Sequence, residues 1–350
     1  MTYRAPLLAL ASAALFGIST PAAKTLLGSI DAAMLAGLLY CGAGFGIAVL
    51  RRAWRTLQTV ESAETPLGRG DWPWLAGAIV SGGIVGPLLL MFGLAHAEAS
   101  TASLLLTLEG AATALLAWFA FGEHVNARVA TGMTCLVAGT LVLSWSGRPT
   151  LTDLIGPLAI IGACIAWGLD NNFTRKVSLA DPLQIVELKG LIAGPVNLII
   201  ALAAGASLPP AGSSVIAAII GFLGYGVSIA LFILALRGLG AARTGAYFST
   251  APFIGAVAAI ALLHEPATLQ LGIAGGLMAL GVWLHLTEQH SHEHDHEAMS
   301  HTHAHVHDEH HQHGHAPSDP PGEPHSHPHD HAPVRHRHPH APDMHHTHQH

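Results

Sequence analysis

Along most of this chain, apolar residues do not alternate with polar ones at either a strand or a helix period. They run on, interrupted only at charged or Pro/Gly-rich breaks. Dividing residues 5 to 287 at those breaks gives ten runs, 6–27, 31–50, 72–94, 101–121, 127–146, 154–174, 182–204, 213–236, 244–262 and 268–286. Each is close to the ~20 residues that a helix needs to cross about 30 Å of hydrocarbon. The connections are short, and the longest, 51–71, holds Arg51, Arg52, Arg55 and Arg69. From residue 290 onward the pattern changes. Aliphatic side chains almost vanish and His-x-His units replace them, interrupted by Pro317, Pro320, Pro321, Pro324, Pro328, Pro333, Pro339 and Pro342. Such a segment buries nothing and is expected to be disordered.

Composition sharpens this division. Of 350 residues, 51% are hydrophobic and only 11% charged, against about one-quarter charged in an average soluble domain. An ordinary soluble enzyme is excluded. The expected fold is an all-α membrane protein of ten transmembrane helices with an added tail. Cys41, Cys135 and Cys164 lie in apolar runs without CxxC spacing and read as small packing residues. The first run has the length and the partner of a span, so it is read as the first crossing and not as a cleaved leader.

Lys and Arg orient the crossings. With the N-terminus in the cytoplasm, 12 of the 15 fall inside, only Arg148 falls outside, and Lys24 and Lys189 lie within runs. This bias places the protein in the cell membrane with both termini cytoplasmic, the tail included.

The two halves repeat. Phe16-Gly17 followed by Lys24 corresponds to Trp167-Gly168 followed by Arg175. Asp31 and Asp181 open the second and seventh runs, and Phe121-Gly122-Glu123 answers Leu263-His264-Glu265. The units are expected at 1–147 and 148–288, with the tail at 289–350. An odd number of crossings per unit turns the second upside-down relative to the first, a signature of secondary transporters.

On these elements the chain resembles the EamA-type transporters of the drug/metabolite transporter superfamily. Pro252 fits the family pattern in the second repeat; Glu109-Gly110 stands in the corresponding place of the first. The resemblance implies a gradient-driven transporter and leaves the cargo open among amino acids, nucleotide sugars, other metabolites and cations.

Polar residues inside spans are costly and mark pathways or partners. Glu109 lies about ten residues into its run, hence ~15 Å deep at 1.5 Å per residue, where it could carry a proton, ligate a cation, or pack as a neutral hydrogen-bonded group. Asp170, Asn171 and Asn172 end the sixth run, with Glu187 roughly level in the seventh. Asp170 and Glu187 either form a vestibule presenting oxygens to a cation or pair with Arg175 and Lys189. Ser19 and Thr20 are candidate pore-lining hydroxyls beside Lys24, which either snorkels or meets an anionic cargo, and Trp167 completes the pathway set. Glu123-His124 and His264-Glu265 read as helix-end anchors. Neither HExxH nor GxxxxGK[ST] occurs, so protease and ATPase chemistry are not expected.

The tail carries 23 of the 27 histidines. His290, His292, His294, His296, His301, His303, His305, His307, His310, His311, His313 and His315 form its densest part, with Asp295, Glu297, Asp308 and Glu309 interspersed. Neutral imidazoles suit Ni, Co, Zn and Cu, so exchangeable multi-site binding is expected, released as His protonates below ~6.5. No resident cofactor is required. The expected partners are the lipid bilayer and either metal ions or a small-molecule cargo, with no nucleic acid and with a homodimer as the candidate assembly. Three functions follow: export of a divalent transition metal collected by the tail, export of a small metabolite or amino acid with the tail sensing or buffering metal, or a membrane-anchored metal buffer without transport. The first is favoured because the tail lies where export would load.

Overall fold

The computed structural model describes residues 4–57, 67–121, 127–145, 151–177, 180–239 and 241–287, and the backbone of 290–296, 299–305, 325–331 and 334–340. The body is helical throughout. The first two crossings are α1 (Arg4–Leu26) and α2 (Ala32–Leu57). The third is composite: a short 3-10 turn (Arg69–Asp71), α3 (Trp72–Ala78), a π-helical segment (Ile79–Val85) and α4 (Gly86–Ala95). The fourth breaks between α5 (Ala99–Leu105) and α6 (Leu108–Phe121), and α7 (Ala127–Leu143) is the fifth.

The second repeat copies this sequence of events. Helices α8 (Leu151–Lys176) and α9 (Pro182–Ala203) are unbroken. The next crossing is α10 (Ala211–Gly221), a π-helical segment (Phe222–Val227) and α11 (Ser228–Leu239). The ninth breaks between α12 (Ala241–Phe248) and α13 (Ala251–Leu263), and α14 (Leu269–Leu286) closes the bundle. Among the described residues, seven helices are long and apolar enough to cross a membrane, and three shorter apolar ones, within α7, α13 and α14, occupy the remaining expected positions. The expectation of ten helical crossings in two repeated blocks holds. The four interruptions, in the third, fourth, eighth and ninth crossings, were not legible as such in the apolar runs.

Packing exchanges the two blocks. Helix α1 lies against α11 and α13 of the second block, while α8 lies against α4 and α6 of the first. Across the two blocks, α2 also packs on α9 and α7 on α14. Lipid tails are as apolar as the helices, so close approach of backbones holds such a bundle together. Glycines permit that approach: a methyl on Gly17 would overlap the Ala251 carbonyl, one on Gly42 the Ala218 backbone, and one on Gly221 the Leu39 backbone. Large apolar side chains such as Phe45, Phe119, Leu141 and Val257 face outward, as a lipid-facing periphery requires.

Beyond Leu286 the backbone contains two antiparallel ladders, β1 (His290–His296) with β4 (Val334–His340) and β2 (Met299–His305) with β3 (His325–His331). Strict His-x-His alternation has the two-residue period of a strand. A two-stranded ladder without an apolar face is at best marginally stable, so these pairs add no core.

Candidate functional site

The site is built around the interruption in the third crossing. A π-helical turn throws backbone carbonyls out of register with their usual amide partners. Here three other crossings supply the donors. The Gly82 carbonyl accepts from Tyr40 Oη of α2 at 2.7 Å and from Trp167 Nε1 of α8 at 2.9 Å. The Gly83 carbonyl accepts from Asn197 Nδ2 of α9 at 3.0 Å. The glycines also make room: a methyl on Gly82 would overlap the Asp170 carboxylate.

Asp170, buried at 7% exposure, is held by Lys189 of α9, whose ammonium donates to both carboxylate oxygens at 2.6 Å. Thr174 Oγ1, one turn on, donates to the same carboxylate at 2.9 Å. The next residue points elsewhere. Asn171 Nδ2 reaches α6, donating to Glu109 Oε1 at 3.0 Å and to Thr113 Oγ1 at 3.1 Å. Asn172 Nδ2 donates to the Gly168 and Thr113 carbonyls. Glu109 is the second residue of α6, immediately past the break at Leu106–Thr107. A polar cluster of Asp170, Lys189 and the part-exposed Glu109 thus lies where the π-helical segment of the third crossing, α6, α8 and α9 come together.

The place that the repeat relates to it, around Ser12 and Ser19 of α1 and Ser228 of α11, carries no charged side chain among the described residues. Ser12 and Ser228 hydrogen-bond reciprocally between α1 and α11, each hydroxyl donating to the other's carbonyl. Ser19 Oγ donates to the Phe16 carbonyl at 2.6 Å and packs against Gly224. Thr20 lines a crevice with Phe16, Gly17, Ser103, Leu106, Ala251 and Pro252. Rings of Phe16, Tyr40 and Tyr225 pack in series beside it, Phe16 to Tyr225 at 5.7 Å and Tyr40 to Tyr225 at 5.8 Å. The Ser103 hydroxyl is buried here without a hydrogen-bond partner. The two expected hydroxyls therefore differ: Thr20 is buried against the groups that line this narrow crevice, and Ser19 is tied back to its own helix.

Charged residues nearer the helix ends act as clamps. Lys24 Nζ donates to the Leu94 carbonyl and, at 2.7 Å, to that of Ala97. Glu265 accepts from the amides of Ala99 and Ser100 at 2.7 and 2.8 Å. A cation on the closing carbonyls of α4 and a carboxylate on the opening amides of α5 both match the helix dipoles. At the opposite end, Arg51 donates to Asp181 at 2.6 Å and to Glu187 at 2.8 Å, with Arg52 at 3.6 Å from Glu187. Asp181 also caps α9, as Asp31 caps α2.

Glu187 and Lys189 do not share a partner. Positions two apart leave a helix on different sides, so Glu187 turns to α2 and Lys189 to α8. A vestibule of Asp170 with Glu187 does not assemble, since each carboxylate already has its own cation. Among the described residues no group of three or more His, Cys, Asp or Glu side chains could hold a metal ion. Glu123, His124, His307, His310, His311, His313 and His315 lie outside the described residues. Of His290, His292, His294, His296, His301, His303 and His305 only the backbone is described, in β1 and β2.

Several contributors escaped sequence reasoning: Tyr40, Gly82, Gly83, Arg51, Thr113 and Asn197. Two carried a signal. Ser81-Gly82-Gly83 is a weak-helix patch inside an apolar run, and Asn197 is an amide with no nearby polar residue in its own span. Tyr40 and Thr113 carried none, because their donors and acceptors lie on other helices.

Comparison with known proteins agrees with this architecture. The model of the EamA-like transporter family matches residues 4–145 and again residues 154–287. An uncharacterised transporter of Methanothermobacter thermautotrophicus (strain Delta H) is 26% identical over 281 residues, covering 77% of this chain and 82% of that protein. The uncharacterised transporter YvbV of Bacillus subtilis (strain 168) is 27% identical over 200 residues, covering 54% of this chain and 63% of its own length. A solved crystal structure superposes with a TM-score of 0.59 at 18% identity, covering 81% of this chain and 96% of that one, which establishes likeness of fold.

Proposed function

The chain belongs to the EamA-like transporter family and is a multi-pass membrane transporter, and on that premise we propose that its cargo is a small zwitterionic metabolite, such as an amino acid, carried outward. The observation that carries this reading is the Asp170–Lys189 pair, with both carboxylate oxygens 2.6 Å from the ammonium. A fixed anion beside a fixed cation offers one partner to each end of a zwitterion. Both cargo charges would then be met without a net charge entering the membrane interior. The aromatic series Phe16, Tyr225 and Tyr40, which ends at the Gly82 carbonyl bordering Asp170, supplies an apolar wall. Asn171, Asn172 and Trp167 position the walls of the path, Ser19 packs its opposite side, and Lys24 and Glu187 belong to the clamps that close its ends.

In this reading the protein sits in the cell membrane with both termini cytoplasmic, as the distribution of Lys and Arg favours. The His-rich tail binds exchangeable Ni, Co, Zn or Cu on the cytoplasmic side and adjusts transport to metal level. The tail also supports a second reading, in which the metal is itself the cargo, since 23 histidines at the loading face would raise its local concentration. Family membership displaces the idea of a metal buffer without transport.

The deciding experiment reconstitutes the full chain and a chain ending at residue 288 into liposomes. Uptake of a radiolabelled L-amino-acid mixture is compared with uptake of Ni, Co and Zn. Saturable exchange of amino acids by both forms supports the zwitterion reading. Metal flux without amino-acid exchange would replace it with metal export.

A further inference from the structure

Among the described residues, Glu109 differs from Asp170, Asp181 and Glu187 in having no basic side chain paired with it. Asp170 gives both oxygens to Lys189, Asp181 and Glu187 are taken by Arg51, and Glu265 holds two backbone amides. Glu109 receives the neutral amide of Asn171 at 3.0 Å, and among the described residues no basic side chain pairs with it. The charged or titratable groups that face it are Asp170 and Cys164 of α8, Lys189 of α9 and Tyr40 of α2. Around the break, α1, α5 and α13 bring Thr20, Ser103 and Pro252. The cation of α7, Arg128, instead donates to Thr287 and lies over Trp283.

The Lys189 charge is already committed to Asp170. With all three groups ionised, the described residues of this core carry one negative charge too many for an apolar medium. A metal ion would need more oxygen, nitrogen or sulfur ligands than the described residues assemble here. A proton needs a single oxygen. We propose that Glu109 is the proton-binding group through which this transporter is driven by a proton gradient.

The carboxylate takes a proton from hydronium on one side of the membrane, leaving water. The neutral acid returns that proton to water on the other side after the core has changed its access. Asn171 serves both forms: its NH2 donates to the carboxylate, and its carbonyl accepts from the acid once the amide has turned over. The break at Leu106–Thr107 lets the start of α6 move without carrying α5 with it. This inference rests on the transporter reading but not on the class of cargo.

Two measurements on the full chain test it separately from the cargo. The first is infrared difference spectroscopy of the protein in lipid vesicles, titrated across pH with no cargo present. A protonated-carboxyl band is expected in the wild type, shifted in Glu109→Asp, and lost in Glu109→Gln. The second uses the radiolabelled amino-acid mixture in proteoliposomes. Accumulation driven by a pH step is expected to be lost in Glu109→Gln and kept in Glu109→Asp, compared at equal amounts of inserted protein. Persistence of the band in Glu109→Gln, or full gradient response in that variant, overturns the proposal. If the band behaves as expected and no amino acid is exchanged even by the wild type, the proton site stands and the zwitterion reading fails.

Discussion

Asp170 on α8 and Lys189 on α9 hold each other through both carboxylate oxygens at 2.6 Å, over a glycine whose missing side chain leaves room for the carboxylate. Their side chains are 9% and 17% exposed, so neither is satisfied by water alone. Removing one partner strands the other. Asp170→Asn or Lys189→Met alone should destabilise the fold by roughly 3–5 kcal/mol, while the double variant should recover most of that loss. Thermal unfolding in detergent, followed by the fraction of monodisperse protein, reads the difference. A double variant no better than the singles would show that the pair does not act as a unit. Under the proposed function, the recovered double variant folds and does not transport.

The clamp on the turn between α4 and α5 makes a local prediction. Glu265 accepts from two amides that would otherwise open a helix without partners. Glu265→Ala should cost about 0.5–2 kcal/mol, the range measured for lost helix caps. Hydrogen exchange should rise at Ala99 and Ser100 first. Unchanged exchange there would mean that another group closes the helix start.

Backbone contact at glycine predicts opposite signs at different positions. Gly42 and Gly221 face the Ala218 and Leu39 backbones, which have no rotamer to yield. Gly42→Val or Gly221→Val should therefore overpack the α2–α10 contact and destabilise by about 1–3 kcal/mol. Gly272 has open space where a methyl would go. Gly272→Ala should stabilise α14 by roughly 0.5–1 kcal/mol. Equal effects at all three sites would contradict this account of the packing.

The tail separates binding from carriage. Deleting residues 289–350 should abolish high-capacity Ni or Zn binding in isothermal titration, and the full chain should lose it as pH falls below ~6.5 and imidazoles protonate. The sign follows from competition, because a proton occupies the same nitrogen lone pair as the metal. Metal binding by the chain lacking its tail at the full-length level would move the sites into the helical body.

How far the site could be read ahead of the structure depended on the residue. Glu109, Asp170 and Lys189 were conspicuous, because ionisable groups are rare in apolar runs and costly there. Their pairing was not. Glu187 sits level with Asp170 by residue count, yet the helix turns it toward Arg51 on α2. The need for donors at the third crossing was invisible, since a π-helical turn leaves only a faint mark in Ser81-Gly82-Gly83 while its three donors lie 40 or more residues away along the chain. The tail was legible in composition and not in its backbone pairing.

The sequence by itself determined the number of crossings, the two-fold repetition and the segregation of the His-rich tail. Each of these follows from local composition: a run of about 20 apolar residues has no stable alternative to a helix in lipid, and a His/Pro-rich segment has nothing to bury. Only the tertiary structure decided which cation meets which carboxylate, which helices are interrupted, and that among the described residues Glu109 has no basic partner. Those outcomes depend on distances between helices far apart in the chain, set by backbone contact at glycines such as Gly42 and Gly221, and no local pattern encodes them.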